Sequence, residues 1–382
     1  MGRIPAWLAL AASAVLVCGG LAAQAPLRAV PDGAGALGRC VATGPLDSVE
    51  DLNDFVGSAV GDPAFLGGDV GVDLRLGEGR SIWLFGDTLR RSAEGPDFVR
   101  NSMLLVADGC AEVVMPPAGG AMVPDRADGV GYWPMSAWRL QLGGGTVVHA
   151  MYQRVRSLSH DEVGGLGFVN LGPALTTFRM AGSGAPQLLT TTDLGADDPS
   201  PESPTWGAAA ALDGGWLYLY GTSTRDLEGV HGFALRVARV RPERVGDQSS
   251  WRYWDGRGWR SDPSLAMALI SEYGGVSQTL SVWPQDGRWY VLSKQDEFLG
   301  SEVVVWPGDA PVGPFGPPQP VAELPCDPAT GELRYMPLAH PQLLPEPGTV
   351  VVSYSRNFLD VGLVCAAPER YRPFFIRVVL PD

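Results

Sequence analysis

The chain of 382 residues contains one lysine, Lys294, beside 27 arginines, and only four histidines. Charged residues make up 18% of it, too few for a coiled coil or a charged disordered tail. Acidic side chains outnumber basic ones, 42 to 28, giving a net charge of −14. A phosphate-rich partner needs a basic stripe, so nucleic-acid binding is excluded. No His-Glu-x-x-His occurs, which argues against a catalytic zinc. No Cys-x-x-Cys offers a structural zinc site. A P-loop, a Gly-rich dinucleotide fingerprint before a helix and a Gly-x-Ser-x-Gly elbow are also missing. Beyond residue 30 no apolar run approaches the ~18 residues that read as a membrane span.

What remains is 45% hydrophobic and rich in turn formers, with 50 Gly and 33 Pro. That is enough apolar material for a sizeable core, in one large β domain or two ordinary ones. Residues 1–25 read as an export segment: Arg3, an apolar run from Ala6 to Leu21, and Ala23-Gln24-Ala25 as a small-x-small cleavage site. Pro26 disfavours cleavage, so the alternative is an uncleaved membrane anchor. The protein is expected to be exported, either secreted or held at the cell envelope. Cys40, Cys110, Cys326 and Cys365 then lie in an oxidising compartment and are expected to form two disulfides.

Apolar, β-branched or aromatic runs led by glycine recur through the chain. They begin at Gly79, Gly145, Gly215, Gly287 and Gly348, at intervals of 66, 70, 72 and 61 residues. Each reads as a strand following a tight turn. First strands are expected at 69–76, 135–142, 205–212, 276–283 and 340–344, with third strands after each glycine-led one and fourth strands in four units. Five antiparallel units nearly without helix predict an all-β, five-bladed β-propeller of four-stranded blades, one domain over 39–382. The strand missing from the last unit is expected from 39–43, closing the ring. On this plan Cys326 pairs with Cys365 within the last blade, and Cys40 with Cys110 across the first and last.

In such a ring, starts of first strands and ends of second strands meet at one face around the axis. Asp69, Trp133, Glu202, Trp206 and His340 are placed there by the first strands, and Asp87, Arg356 and Asn357 by the second. The hairpin between Asp69 and Asp87 returns both carboxylates to one rim. A carboxylate pair suits glycoside hydrolysis, with one acid and one base or nucleophile. Against that, an Asp beside Gly commonly just caps a turn.

Gly68-Asp69-Val70-Gly71, the run Gly79 to Thr88 ending Trp-Leu-Phe-Gly-Asp-Thr, and Asn101-Ser102 resemble the start of the domain of unknown function 4185. Trp206-Gly207 and Ser353-Tyr354-Ser355-Arg356-Asn357 are similar to its later parts. The resemblance spans roughly residues 45–380. Part of that family is glycoside hydrolase family 183, the endo-D-arabinanases. It implies a propeller cleaving internal linkages of cell-wall D-arabinan, with Asp69 and Asp87 as catalytic carboxylates.

Glu202 is a supporting acid on this reading, and Asn101 a substrate-binding residue. Trp133 and Trp206 offer aromatic faces to a sugar, or fill gaps between blades. Arg356 and Asn357 hydrogen-bond furanose hydroxyls, or Arg356 neutralises the carboxylates. His340 lines the axial channel near a cation, or is a satisfied core histidine. No cofactor is required, a channel cation being the exception considered. The expected partner is an arabinan-type polysaccharide and the expected state a monomer. The alternative function is a non-catalytic propeller that binds cell-wall glycan or a protein.

Overall fold

The computed structural model describes residues 36–381, apart from 59–61, 78, 92–94, 143–144, 159–166, 181–183 and 298–299. The expected export segment, 1–25, lies outside the described residues. Among these, no helix is long and apolar enough to cross a membrane.

Short strands β1 (Ala36–Leu37) and β2 (Val41–Ala42) precede helix α1 (Val49–Ser58). Blade one follows as β3 (Gly67–Gly77), β4 (Arg80–Leu89), β5 (Phe98–Val99), β6 (Ser102–Ala107) and β7 (Cys110–Met115). Blade two is β8 (Gly131–Leu142), β9 (Gly145–Ser157), β10 (Phe168–Met180) and β11 (Gln187–Asp193). Blade three is β12 (Thr205–Asp213), β13 (Trp216–Ser223), β14 (Ala234–Val240), β15 (Arg252–Trp254) and β16 (Trp259–Arg260). Blade four is β17 (Ser281–Gln285), β18 (Arg288–Lys294), β19 (Glu302–Gly308) and β20 (Gln319–Glu323). Blade five is β21 (Glu332–His340), β22 (Thr349–Phe358) and β23 (Phe374–Val379), with helix α2 (Val361–Ala366) between the last two. Each blade is an antiparallel meander. The protein is a five-bladed β-propeller.

The glycine-led strands are continuously apolar because both of their faces are buried between blades. Along β4, Ile82 and Leu84 pack with blade two, whereas Trp83 and Phe85 pack toward α1 and blade five. Along β13, Leu217 and Leu219 face blade two while Tyr218 and Tyr220 face blade four. The period of two along each strand thus builds the interface with either neighbour.

Ring closure departs from the expectation. β1 and β2 pair with β7, the outer strand of blade one, and leave blade five with three strands. The Cys40–Cys110 disulfide therefore joins this segment to blade one rather than bridging first and last blades. Such a bridge contributes about 2–4 kcal/mol. Blade five is closed by α1 instead. Asn53 donates from Nδ2 to the Phe375 carbonyl at 3.1 Å and accepts from the Phe375 amide at 2.8 Å, satisfying the edge of β23. Arg372, just before β23, donates to the carbonyls of Val56, Gly57 and Leu66.

Two first strands also lie elsewhere than expected. In blade four it is β17, and in blade five it is β21, which ends rather than begins at His340. Pro341, Pro345 and Pro347 occupy the turn that follows; proline has no amide to give a ladder, so the strand falls before them. The expected Cys326–Cys365 bridge does not form. Cys326 carries a thiol beside Leu333 and Tyr335, whereas Cys365 packs with Leu89 and Phe358, a different cluster.

Candidate active site

Asp69 sits where β3 bends. The register between β3 and β4 shifts on either side of Val70, which has φ +71°, beside Gly71 at +81°. A β-branched residue rarely adopts that conformation, and it is held here by packing and by the Val70 amide donating to Ser355 Oγ at 3.0 Å. β8, β12 and β21 also change register near the same level, next to Pro134, Trp206 and Tyr335. Such bulges re-aim side chains toward the axis.

Gly86 lets the two acids of blade one approach. A Cβ there would meet Asp69 Oδ1 at 2.4 Å. The Asp69 carboxylate accepts from Tyr335 Oη at 2.8 Å and from the Asp87 amide. Tyr371 Oη also approaches it, outside ideal hydrogen-bond geometry. Asp87 accepts at Oδ1 from Trp133 Nε1 at 2.7 Å, while its Oδ2 is buried without a partner among the described residues. Asp69 is 2% exposed and Asp87 0%.

Burial raises both acids. Asp69 is pushed up to about 6, against the pull of the Tyr335 hydrogen bond. Asp87 is pushed well above the ordinary range, again chiefly by burial, with Arg100 opposing and Asp69 adding to the rise. Of the two, Asp87 is the one on which burial favours the proton more strongly, and Asp69 is the readier to ionise.

Because both folded values exceed the unfolded one, protonation of this pair stabilises the native state. That stabilisation is complete below about pH 4 and is lost as pH rises through the folded values. The stability advantage of Asp87→Asn over the natural chain is expected to grow as pH rises from about 4 to about 6, a tenfold difference in proton affinity between folded and unfolded chain being worth about 1.4 kcal/mol. Urea midpoints across that range test this, and a pH-independent difference would contradict it.

The structure sorts the other expected residues. Trp133 meets the pair through its indole N–H, and its ring is T-stacked on Phe168 at 4.5 Å. Trp206 is buried, its ring tilted against that of Tyr253 with centroids 5.2 Å apart and laid against Gly221. Asn101 is buried with its amide committed to the backbone of Val123 and Tyr132. Glu202 stands on an exposed turn within the field of Arg225. Arg356 lies over Phe374 at 5.2 Å, and buried Asn357 is next to Tyr335. His340 is 1% exposed. Its Nδ1 is 2.6 Å from Asp73 Oδ1 and its Nε2 2.7 Å from Ser353 Oγ, at the far end of the innermost strand from Asp69.

An axial cavity of about 770 Å³ opens toward that far end, lined by Asp73, Arg75, Trp138, Gln285 and His340 among others. It does not reach Asp69 or Asp87. Among the described residues no group of three or more His, Cys, Asp or Glu is placed to hold a metal ion. Sequence reading missed Tyr335 and Arg100. Tyr335 was hidden by the displaced first strand of blade five, and nothing local marks Arg100 as facing Asp87.

With this geometry in view, comparison with known proteins decides the family. The model of the family described as Domain of unknown function (DUF5005) matches residues 53–380. The chain belongs to the DUF5005 family. The resemblance to the domain of unknown function 4185 is thereby corrected: Trp83-Leu84-Phe85 lies in the single strand β4, both faces of which are buried between blades, a demand not confined to one family. No curated protein matches the chain. Among solved structures, a Bacteroides ovatus protein assigned as a hydrolase is 18% identical, covering 83% of this chain and 86% of its own, with a TM-score of 0.63. An exo-1,5-α-L-arabinanase from a bovine ruminal metagenomic library is 8% identical, covering 83% and 94%, at 0.45. A Cellvibrio cellulosa α-L-arabinanase complexed with arabinohexaose is 10% identical, covering 81% and 91%, also at 0.45. At these identities the likeness is one of fold.

Proposed function

We propose that this DUF5005 protein is an exported glycoside hydrolase acting on a cell-wall polysaccharide, with arabinan the first substrate to test. The observation that carries the reading is the pair Asp69 and Asp87: two buried carboxyls on adjacent strands, both raised in pKa but unequally. Cleaving a glycosidic bond needs a carboxylic acid that still holds its proton at working pH and a carboxylate that does not. Asp87 has the former character. Its Oδ1 is held by Trp133, leaving Oδ2 to deliver the proton to the departing sugar oxygen. Asp69, oriented by Tyr335, serves as base or nucleophile. Fold alone does not assign this activity.

Incubation of the chain from residue 36 onward with arabinan, arabinoxylan and galactan, with products read by mass spectrometry, tests the proposal. Shortened oligosaccharides from arabinan are the expected result, internal fragments pointing to endo action. A specific observation favours a second reading, a glycan-binding propeller: the pair is sealed from solvent. Binding without cleavage across the panel would establish it.

A further inference from the structure

Three buried polar atoms on residues of blades one and two have no hydrogen-bond partners among the described residues: Asp87 Oδ2, Arg100 Nη1 and Gln153 Nε2. Their residues are 0%, 8% and 3% exposed. Protein interiors rarely leave such groups unpaired, and each costs about 1–3 kcal/mol.

These three residues all border one face of blade two. Gly131, Trp133 and Gln153 lie on that face, since Trp133 and Gln153 are directly paired across β8 and β9 and Gly131 is two residues from Trp133. Trp133 reaches Asp87 from there, so Gln153 points the same way. Gly131 makes room for Arg100: a Cβ at Gly131 would lie 2.5 Å from Arg100 Cγ. The guanidinium is then anchored through Nη2 on Ser157 Oγ, while Nη1 stays unpaired within the field of Asp87.

We infer that Arg100 Nη1 and Gln153 Nε2 are the donors that orient a neutral, hydroxylated ring against Asp87 Oδ2. This rests on the hydrolase reading only for what Asp87 then does. The charge balance sets the ligand class. Arg100 is the cation here, and the carboxyls of Asp87 and Asp125 already lie within its field, while Asp69 and Asp125 both act on Asp87. Arg154, next to Gln153, is committed to Asp197 and to the carbonyls of Leu171 and Ala196. No positive charge is left over for a uronate carboxylate, whereas sugar hydroxyls accept from both donors. Trp133, 8% exposed and bonded to Asp87 Oδ1, walls the site.

Arabino-oligosaccharides and oligogalacturonates serve as probes, titrated calorimetrically into the Asp87→Asn protein alone and with Gln153→Met or Arg100→Lys added. Cleavage by the chain without Asp87→Asn is measured in parallel. Arabino-oligosaccharide binding weakened about tenfold by either change, at a urea midpoint that is not lowered, is the expected result. A shift of the Gln153 side-chain amide resonance at saturating arabino-oligosaccharide is expected too, and that readout needs no change at position 153. Cleavage or binding unaffected by both substitutions, with that resonance unmoved, would mean the trio holds water alone and would overturn the inference while leaving the hydrolase reading intact. Binding that is weakened by the substitutions in a protein that cleaves nothing supports the inference and removes the hydrolase reading. Tighter binding of oligogalacturonate overturns the neutral class, and binding of neither probe overturns the whole.

Discussion

Asp87→Asn is expected to lower glycan hydrolysis by about 10²–10⁴-fold, the span typical of a lost general acid. The change removes the proton that burial favours on Asp87 while preserving shape and an acceptor for Trp133 Nε1. Because the natural side chain is a fully buried acid raised by desolvation, its neutral replacement is expected to keep or raise the melting temperature. Loss of activity with retained stability separates a catalytic role from a structural one. Asp69→Asn is expected to be as damaging, since Asp69 is the group that must ionise. The pH profile should carry an acid limb near 6 from Asp69, lost in that variant. Full activity in the Asp87→Asn protein would remove Asp87 from the mechanism. Measuring both variants on the glycan that the natural chain cleaves, beside their melting curves, decides the matter.

Arg372→Leu is expected to cost about 3–5 kcal/mol of stability, as for a buried charged partner removed from a network. Its guanidinium is 2% exposed and donates to three carbonyls: Val56 at 2.6 Å, Gly57 at 3.0 Å and Leu66 at 2.6 Å. Val56 and Gly57 belong to the last turn of α1, where carbonyls lack intrahelical partners and a positive charge is favourable. Leu66 leads directly into β3. One side chain therefore ties the lead-in to the last strand to the helix and strand that begin the ring. Burial lowers its pKa to about 10, which still leaves it charged at neutral pH. Leucine fills the space and leaves those carbonyls unpaired. Urea unfolding that showed a loss under about 1 kcal/mol would mean that closure rests on α1 packing alone.

Much of the architecture was legible in the sequence. Gly79, Gly145, Gly215, Gly287 and Gly348 each precede a strand, four of them β4, β13, β18 and β22 and one opening β9 itself. Turn glycines and period-two burial are local properties, so five repeats of them determine five blades. The pairing of Asp69 with Asp87 was legible for the same reason, a single hairpin carrying both. What only the tertiary structure decided involves contacts between segments far apart in the chain. The short strands β1 and β2 can pair with any open edge, and it is the geometry of the closed ring that sets them on β7 and gives the β23 edge to α1. Tyr335 reaches Asp69 across 266 positions, and nothing near either residue announces it. His340 carries the local look of a strand start, but the prolines after it move the strand back and leave it bonded to Asp73 and Ser353. Local periodicity specifies strands and hairpins. The unpaired atoms between blades one and two arise only when two finished blades meet, because burial, and with it the raised acids, is a property of the packed ring.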